Sequence, residues 1–556
     1  MDLGAPHHTS TSVIKTIINK QGVAGINQKN KNEVDELQND STLVACETFL
    51  VHNSLKEVDQ DREDVSDSEE KQLLFSKIQD KSFRILRILS VLIVFLVPII
   101  LLISPIQGYL RKKRDFAAPS IEISETDMLL FLKALEYNKF KQELNPKQLP
   151  IDLDTPKARH NWKSADGIDY KLVFSDEFNQ EGRDFRPGKD KYWESQELWY
   201  WFTENLEYFD HKHTQTRNGN LEVTLDEYSS KPELNYTGGM LNSWNKFCFQ
   251  GGYMEVNVSF PGDGRTSGLW PAVWLLGNLG RAGYGATVDG LWPYSYDQCD
   301  AGVLPNQGNL YASSLPGQRL NACVCKGDHP SPGIGRGAPE IDLFEKVVSN
   351  GIPSLSMSLQ IAPFDYHSRI NDSNIKIYNP GSVAPGFTRK NDYLGDDIQQ
   401  AVSALHFISP EVSGGRKFQV FGVEYETGPN GYIRWYSENK PVWFLGNSAI
   451  GGNKYSKISQ REIPREPMYI IMNLSLSKRF GVVEWERLKF PATLYIDYVR
   501  VYQQPNKIRI SCDPDDRPTR DYILNHPRAY FNVNYTKWEQ TGYELPRYSL
   551  KDRCRK

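Results

Sequence analysis

The stretch "RGAPEIDLFEKV", Arg336 to Val347, sets Glu340, Asp342 and Glu345 inside an otherwise apolar run. Read as a plain strand, it puts Glu340, Asp342 and Phe344 on one face and Ile341, Leu343 and Glu345 on the other. That register drives an ionised glutamate into hydrocarbon, which is costly unless the charge is paired. A β-bulge at Leu343-Phe344 returns Glu345 to the face of the other two acids, leaving Ile341 and one of the two bulge residues to face the core. Glu340 and Glu345 then lie four pleats apart, roughly 13 Å between Cα atoms at about 3.3 Å per step, a gap that two inward-leaning side chains largely close. Crowding raises the pKa of one carboxyl and leaves it protonated. Carboxyl groups about 5 Å apart suit double-displacement glycoside hydrolysis, one acting as nucleophile and the other as acid then base. Asp342, between them, is placed to hydrogen-bond the nucleophile. The string alone also fits acids on a solvated strand or a cation site, so its surroundings carry weight.

Those surroundings are aromatic and strand-like. Tyr 29, Phe 25 and Trp 12 are many rings for 556 residues. Trp270 and Trp274 of "GLWPAVWLLGN", together with Trp244, Trp292 and Tyr296, are candidate sugar platforms, although each ring serves equally well as core. From about Tyr170 short runs alternate: Leu221, Val223 and Leu225 share one side, and Met254, Val256, Val258 and Phe260 another, against Glu255, Asn257 and Ser259. Period two repeated in this way means half-buried strands. "FQVFGVEYE" and "YIRWYSE" joined by "TGPNG" read as a hairpin, followed by "MYIIMNLSLS" and a closing "TLYIDYVRVYQ". Many short strands without alternating helices predict an all-β antiparallel sandwich or barrel. Gly277 to Gly335 shows neither period and is expected to be a long loop insertion pinned by disulfides.

"ILSVLIVFLVPIILLISPIQGYL", Ile88 to Leu110, carries no charge and is long enough to cross a bilayer as an uncleaved signal anchor. Basic residues balance on its two flanks, so the cysteines decide its orientation. Cys46 precedes it, whereas Cys248, Cys299, Cys323, Cys325, Cys512 and Cys554 follow it, an even set that suits an oxidising lumen. Sequons at Asn235, Asn257, Asn371, Asn473 and Asn534 also follow it and are candidate glycosylation sites. The expected layout is a disordered cytosolic tail over 1–87, the anchor over 88–110, a stem and linker over 111–165, a β-domain over 166–505 with its insertion, and a C-terminal extension over 506–556. This is a single-pass type II arrangement in a secretory-pathway or plasma membrane, with the bulk of the chain lumenal or extracellular. The formal charge of −4 and scattered basic residues do not suggest a nucleic-acid partner.

The order of "FSDEF" (Phe174 to Phe178), "GLWPAVW", "EIDLFE" and "YIDYVRVYQ" resembles glycoside hydrolase family 16, the laminarinase and lichenase group, over about Tyr170 to Pro505. "SWNKFCFQGGYMEV", "GNLGRAGYGATVDGLWPYSYDQCD" and "RGAPEIDLFE" further resemble the fungal β-glucan synthesis-associated proteins of the killer-toxin-resistance type. The resemblance implies a concanavalin-like β-jelly roll, a nucleophile at Glu340, an assisting acid at Asp342, an acid/base at Glu345, and a role in making cell-wall β-1,6-glucan. β-Glucan and cell-wall synthesis proteins are the expected partners. Simpler members join the "WPAVW" strand to the acid strand by a short connection, so the insertion leaves substrate specificity open. Hydrolysis and transfer both remain compatible with the residues, as does a non-catalytic glucan-binding scaffold and, more weakly, a chaperone-like factor.

Three further signals have plain readings. "DHKH" puts His211 and His213 on one face of a candidate strand, but without an identifiable third ligand they read as solvated side chains, and no metal or cofactor is expected. Cys323 and Cys325 of "CVC" are expected in disulfides, to Cys299 or another partner, with fifteen pairings open among six cysteines. "GRAGYG" and "GIGRG" lack a strand-to-helix context and read as turns.

Overall fold

Alternating apolar residues do build two stacked sheets. The computed structural model describes residues 149–556 except 229, 232, 300–316, 365–369, 429, 453–457, 551, 553 and 555–556. The expected cytosolic tail, signal anchor and most of the stem lie outside the described residues. Among the described residues no helix is long and apolar enough to cross a membrane. The same residues form one sheet of thirteen strands and another of nine. Pairing is antiparallel except between Glu207–Phe209 and Tyr236–Gly238, which run parallel.

The closing strand Ala492–Gln503 sits inside the thirteen-stranded sheet, bonded to Asp169–Asp176, Asn220–Asp226 and Gly252–Ser259. The hairpin joins Gln419–Glu426 to Tyr432–Ser437. Leu221, Val223, Leu225, Met254, Val256 and Val258 all turn inward and are fully buried. The opposite face of Gly252–Ser259 is not simply wet, because Glu255 is buried too. Arg500 Nη1 lies 3.7 Å from its carboxylate and the Tyr253 hydroxyl donates to it at 3.1 Å. A buried carboxylate is tolerable where a cation and hydroxyls replace its water.

The nine-stranded sheet carries the acid strand, Glu340–Ser349, between the tryptophan strand Leu269–Gly277 and the serine strand Ile352–Ile361. Beyond the serine strand lies Gln400–Phe407, and beyond the tryptophan strand lies Met468–Leu476. Every residue of Met468–Leu476 is buried, and its composition says what covers each part. Met468, Ile470, Met472, Leu474 and Leu476 point into the core between the sheets. On the other face, Tyr469 and Ile471 join a second apolar cluster, while Asn473 and Ser475 border an open cleft. One face of the sheet is therefore roofed at one end and open at the other.

The roof is the insertion together with the C-terminal residues. Arg281, Arg319 and Arg336 fasten it. Arg336, wholly buried, donates two hydrogen bonds to the Glu466 carboxylate at 2.6 and 2.8 Å and others to the carbonyls of Arg517 and Pro518. Arg319 lies 3.6 Å over the Trp538 ring and donates to the Tyr522 hydroxyl. Arg281 pairs with Glu194 at 3.1 Å and covers the Trp244 and Tyr284 rings. Disulfides Cys248–Cys512, Cys299–Cys323 and Cys325–Cys554 complete the attachment, as six paired cysteines were expected to do.

Candidate active site

The bulge is present. On the serine strand Asp342 faces Ser358 and Glu345 faces Ser356, so Leu343 and Phe344 together oppose Met357. The tryptophan strand shifts at the same place, between Val273 and Trp274. Both bulge residues are buried in the main core, which corrects the expectation that one alone would be. The core there is deep enough for both, and Phe344 meets Phe260 and Phe421 edge-on at 5.3 and 5.6 Å. The indole of Trp435, from the other sheet, donates to the Asp342 carbonyl at 2.8 Å and ties the kinked backbone down.

Glu340, Asp342 and Glu345 consequently line one cleft of about 830 Å³. Asp342 is buried, whereas the two glutamates are half-buried. Trp292 Nε1 donates to Glu340 at 2.7 Å, and Trp270 Nε1 donates to Glu345 at 3.1 Å. Ser358 Oγ and Gln360 Nε2 donate to Asp342 Oδ2 at 2.6 and 3.0 Å. Asp342 and Glu340 also share a hydrogen bond, which requires a proton on one of them. Burial, and then the neighbouring Asp342 and Glu345 charges, push Glu340 well above the usual carboxylate range. Glu345 is raised likewise, by burial and then by Asp342, against the Trp270 hydrogen bond. Burial lifts Asp342 to about 6, held back by its Ser358 and Gln360 donors.

The candidate tryptophans divide. Trp270 and Trp292 reach the acids, with Trp270 stacked on Phe480 at 4.2 Å. Trp274 also borders the cleft and donates to Asn473 Oδ1 at 2.8 Å. Trp244 does not reach the cleft. It packs in the second apolar cluster, stacked 5.9 Å from Tyr530, with its indole nitrogen donating to the Asn278 carbonyl. A ring beneath the roof has no open face for a ligand.

Several cleft residues carried no sequence signal. Asn473 Nδ2 donates to Ser475 Oγ, Asn205 Nδ2 donates to Ser475 Oγ and to Glu207, and the Leu476 N–H donates to Glu207. Burial pushes Glu207 up to about 8. The chain Trp274, Asn473, Ser475, Asn205, Glu207 fixes the wall beside the acids. The alternation of Ser354, Ser356 and Ser358 is the signal from which a polar floor could be read, and it does not name the sheet.

Of the sequons, Asn235, Asn371 and Asn534 are exposed. Asn257 lies mid-strand, partly buried and donating to Asp497 Oδ2 at 2.8 Å. Asn473 is buried and hydrogen-bonded in the cleft wall, so a glycan there conflicts with the fold. His211 and His213 belong to one turn of 3-10 helix instead of a strand. His211 joins Glu197 and Asp210 in a surface cluster able to hold a metal ion. That cluster lies outside the cleft lining, and exposed groups of this kind are common without an ion.

A two-sheet β-sandwich thus gathers three crowded carboxylates along one cleft, two of them under indole donors. The model of the β-glucan synthesis-associated proteins SKN1/KRE6/Sbg1 matches residues 50–554, and the chain belongs to that family. It is 43% identical over 413 residues to β-glucan synthesis-associated protein KRE6 of Saccharomyces cerevisiae, covering 73% of this chain and 56% of that protein. To SKN1 of Candida albicans it is 41% identical over 407 residues, covering 72% and 54%. The chain thus spans about half the length of the curated relatives it matches. Among solved structures it is similar to an endo-β-1,3-glucanase from Pyrococcus furiosus, at 19% identity and a TM-score of 0.38, covering 62% of this chain and 98% of that one.

Proposed function

We propose that this protein is a retaining β-glucan glycosidase or transglycosidase serving cell-wall β-1,6-glucan synthesis. One observation carries the reading: two half-buried glutamates on one kinked strand, each hydrogen-bonded to an indole, with a buried aspartate between them. Glu340 attacks the anomeric carbon while Glu345 gives its proton to the leaving oxygen. Glu345 then takes a proton from the incoming hydroxyl as the bond from C1 to Glu340 breaks. Burial suits Glu345 to hold its proton in the first step. The Trp292 donor favours the charge that Glu340 must carry to attack, against burial and the hydrogen bond with Asp342, which raise it. The chain is anchored by Ile88 to Leu110 as a single-pass type II protein, with the β-domain lumenal or extracellular. The three disulfides support an oxidising compartment.

The test compares wild type with Glu340→Gln and Glu345→Gln on defined β-1,3- and β-1,6-linked oligosaccharides, reading product length and anomeric form. Loss of bond cleavage by at least about a thousandfold in folded Glu340→Gln is expected. Cell-wall glucan assembly fully retained by both folded variants overturns catalysis and makes the protein a glucan-binding scaffold.

A further inference from the structure

The cleft continues from the acid strand across the serine strand to Gln400–Phe407, and that arm holds groups the two-carboxylate chemistry does not use. The segment 391–399 forms its rim. Gly395 sits at φ +103°, and a Cβ there would lie 2.0 Å from the Gln399 carbonyl oxygen, so the turn requires glycine. The Ala401 N–H donates to the Leu394 carbonyl, and the Asp396 N–H donates to the Gln399 carbonyl. This braced turn presents Tyr393, whose ring is 49% exposed yet borders the cleft. Gln399 Nε2 donates to the Tyr393 hydroxyl at 3.3 Å. The charges of Glu345 and Arg479 both reach that hydroxyl, which puts Tyr393 on the Glu345 side of the site.

The floor below is unsatisfied. Gln360 and Ser403 are more than nine-tenths buried and border the cleft. Gln360 Oε1, Ser403 Oγ and Gln399 Oε1 have no hydrogen-bond partner among the described residues. Orphaned buried polar atoms are costly; all three are covered as they stand, and a turn of the side chain toward the cleft would present each to a ligand rich in hydroxyls that satisfies it. A half-exposed ring lining the same cleft fits a pyranose, whose faces are apolar and whose rim is polar. Hydrolysis needs only water at Glu345; it uses Gln360 through the Nε2 donor to Asp342, and leaves Tyr393, Gln399, Ser403 and the Gln360 amide oxygen without a role.

We infer that Tyr393, Gln399, Gln360 and Ser403 form an acceptor subsite, in which a β-glucan hydroxyl, in preference to water, is held against Glu345. The inference rests on the catalytic reading above. With the sugar esterified to Glu340, the acceptor oxygen attacks C1 and its proton passes to the Glu345 carboxylate. The C1–O bond to the acceptor forms as the bond to Glu340 breaks, returning the Glu340 carboxylate. No oxidant or further reactant enters the balance.

The full chain is assayed with a β-1,3-glucan oligosaccharide bearing a chromogenic aryl aglycone as donor and a labelled β-glucan oligosaccharide as acceptor. Aglycone release reports the first step, and labelled product length reports transfer. Tyr393→Ala is expected to lower the ratio of transfer to hydrolysis about tenfold, the scale of one lost ring contact, whatever its total release rate. Tyr393→Phe is expected to keep most of the ratio. Gln399→Ala, at the surface of the same turn, is expected to lower it also and serves if the Tyr393 variant fails to fold. An unchanged ratio in both alanine variants overturns the subsite while leaving catalysis standing. No aglycone release from wild type, or equal release from Glu340→Gln, overturns the catalytic reading itself.

Discussion

Replacing Asp342 by asparagine removes one charge from a buried carboxylate cluster while keeping its shape. The expected consequence is a more stable and less active protein. Burial lifts Asp342 from 3.8 to about 6. Below pH 3.8 the group is protonated in the folded and unfolded chains alike and costs nothing. Between 3.8 and about 6 the fold keeps a proton that the unfolded chain has released, so stability falls with rising pH. Roughly two pH units at about 1.4 kcal/mol each amount to about 3 kcal/mol, fully lost by pH 7. Removing the charge also relieves Glu340 and Glu345, both of which Asp342 raises, and so acts in the same direction. Asp342→Asn should therefore melt about 3–4 °C above wild type at pH 7, taking roughly 400 ordered residues at about 2 cal/mol/K each. The advantage should vanish at pH 4. Thermal melts of oxidised protein at pH 4, 5.5 and 7 check this. A difference independent of pH, or a variant less stable at pH 7, would show that the cluster does not carry the burden assigned to it.

Trp292→Phe deletes the donor that holds Glu340 down; the acid limb of the pH–rate profile should move to higher pH, which initial rates from pH 3 to 8 measure. Arg336→Met strips the buried Glu466 of its partner and unpins the Arg517 and Pro518 carbonyls, so a loss of about 3–5 kcal/mol is expected, read from melting temperature, with faster proteolysis of the C-terminal residues. Peptide mass analysis of protein extracted from membranes should find glycans confined to the exposed Asn235, Asn371 and Asn534, with Asn473 bare.

The kink was legible because parity exposed it: an acid one residue out of phase has no comfortable place in a straight ribbon, and that argument needs no partner strand. The fate of the second bulge residue depends on how far Phe260 and Phe421 stand off across the core, which no local pattern encodes. Tryptophans were legible as cleft candidates only as a group. Trp270 and Trp292 reach the acids while Trp244 lies under Arg281, and the difference is set by the roof, whose contacts, Arg281 to Tyr530 and Arg319 to Tyr522, join residues more than 200 positions apart. Asn473 illustrates the same limit, since its sequon is intact and only the sheet reveals that it is a wall residue. Gln360 and Ser403 are ordinary polar letters until the serine strand is laid between the acids and the neighbouring Gln400–Phe407 strand.

The anchoring of Arg336 has a consequence for the order in which the protein matures. A ribosome delivers the three acids well before Glu466, Arg517 and Cys554, so the strand that bears them emerges without the groups that clamp it. A chain released before Glu466 and Arg517 holds all three acids yet lacks the residues that fasten the cover over their groove. Completion of synthesis thereby becomes a condition for a working groove, and truncated products should be silent instead of unregulated.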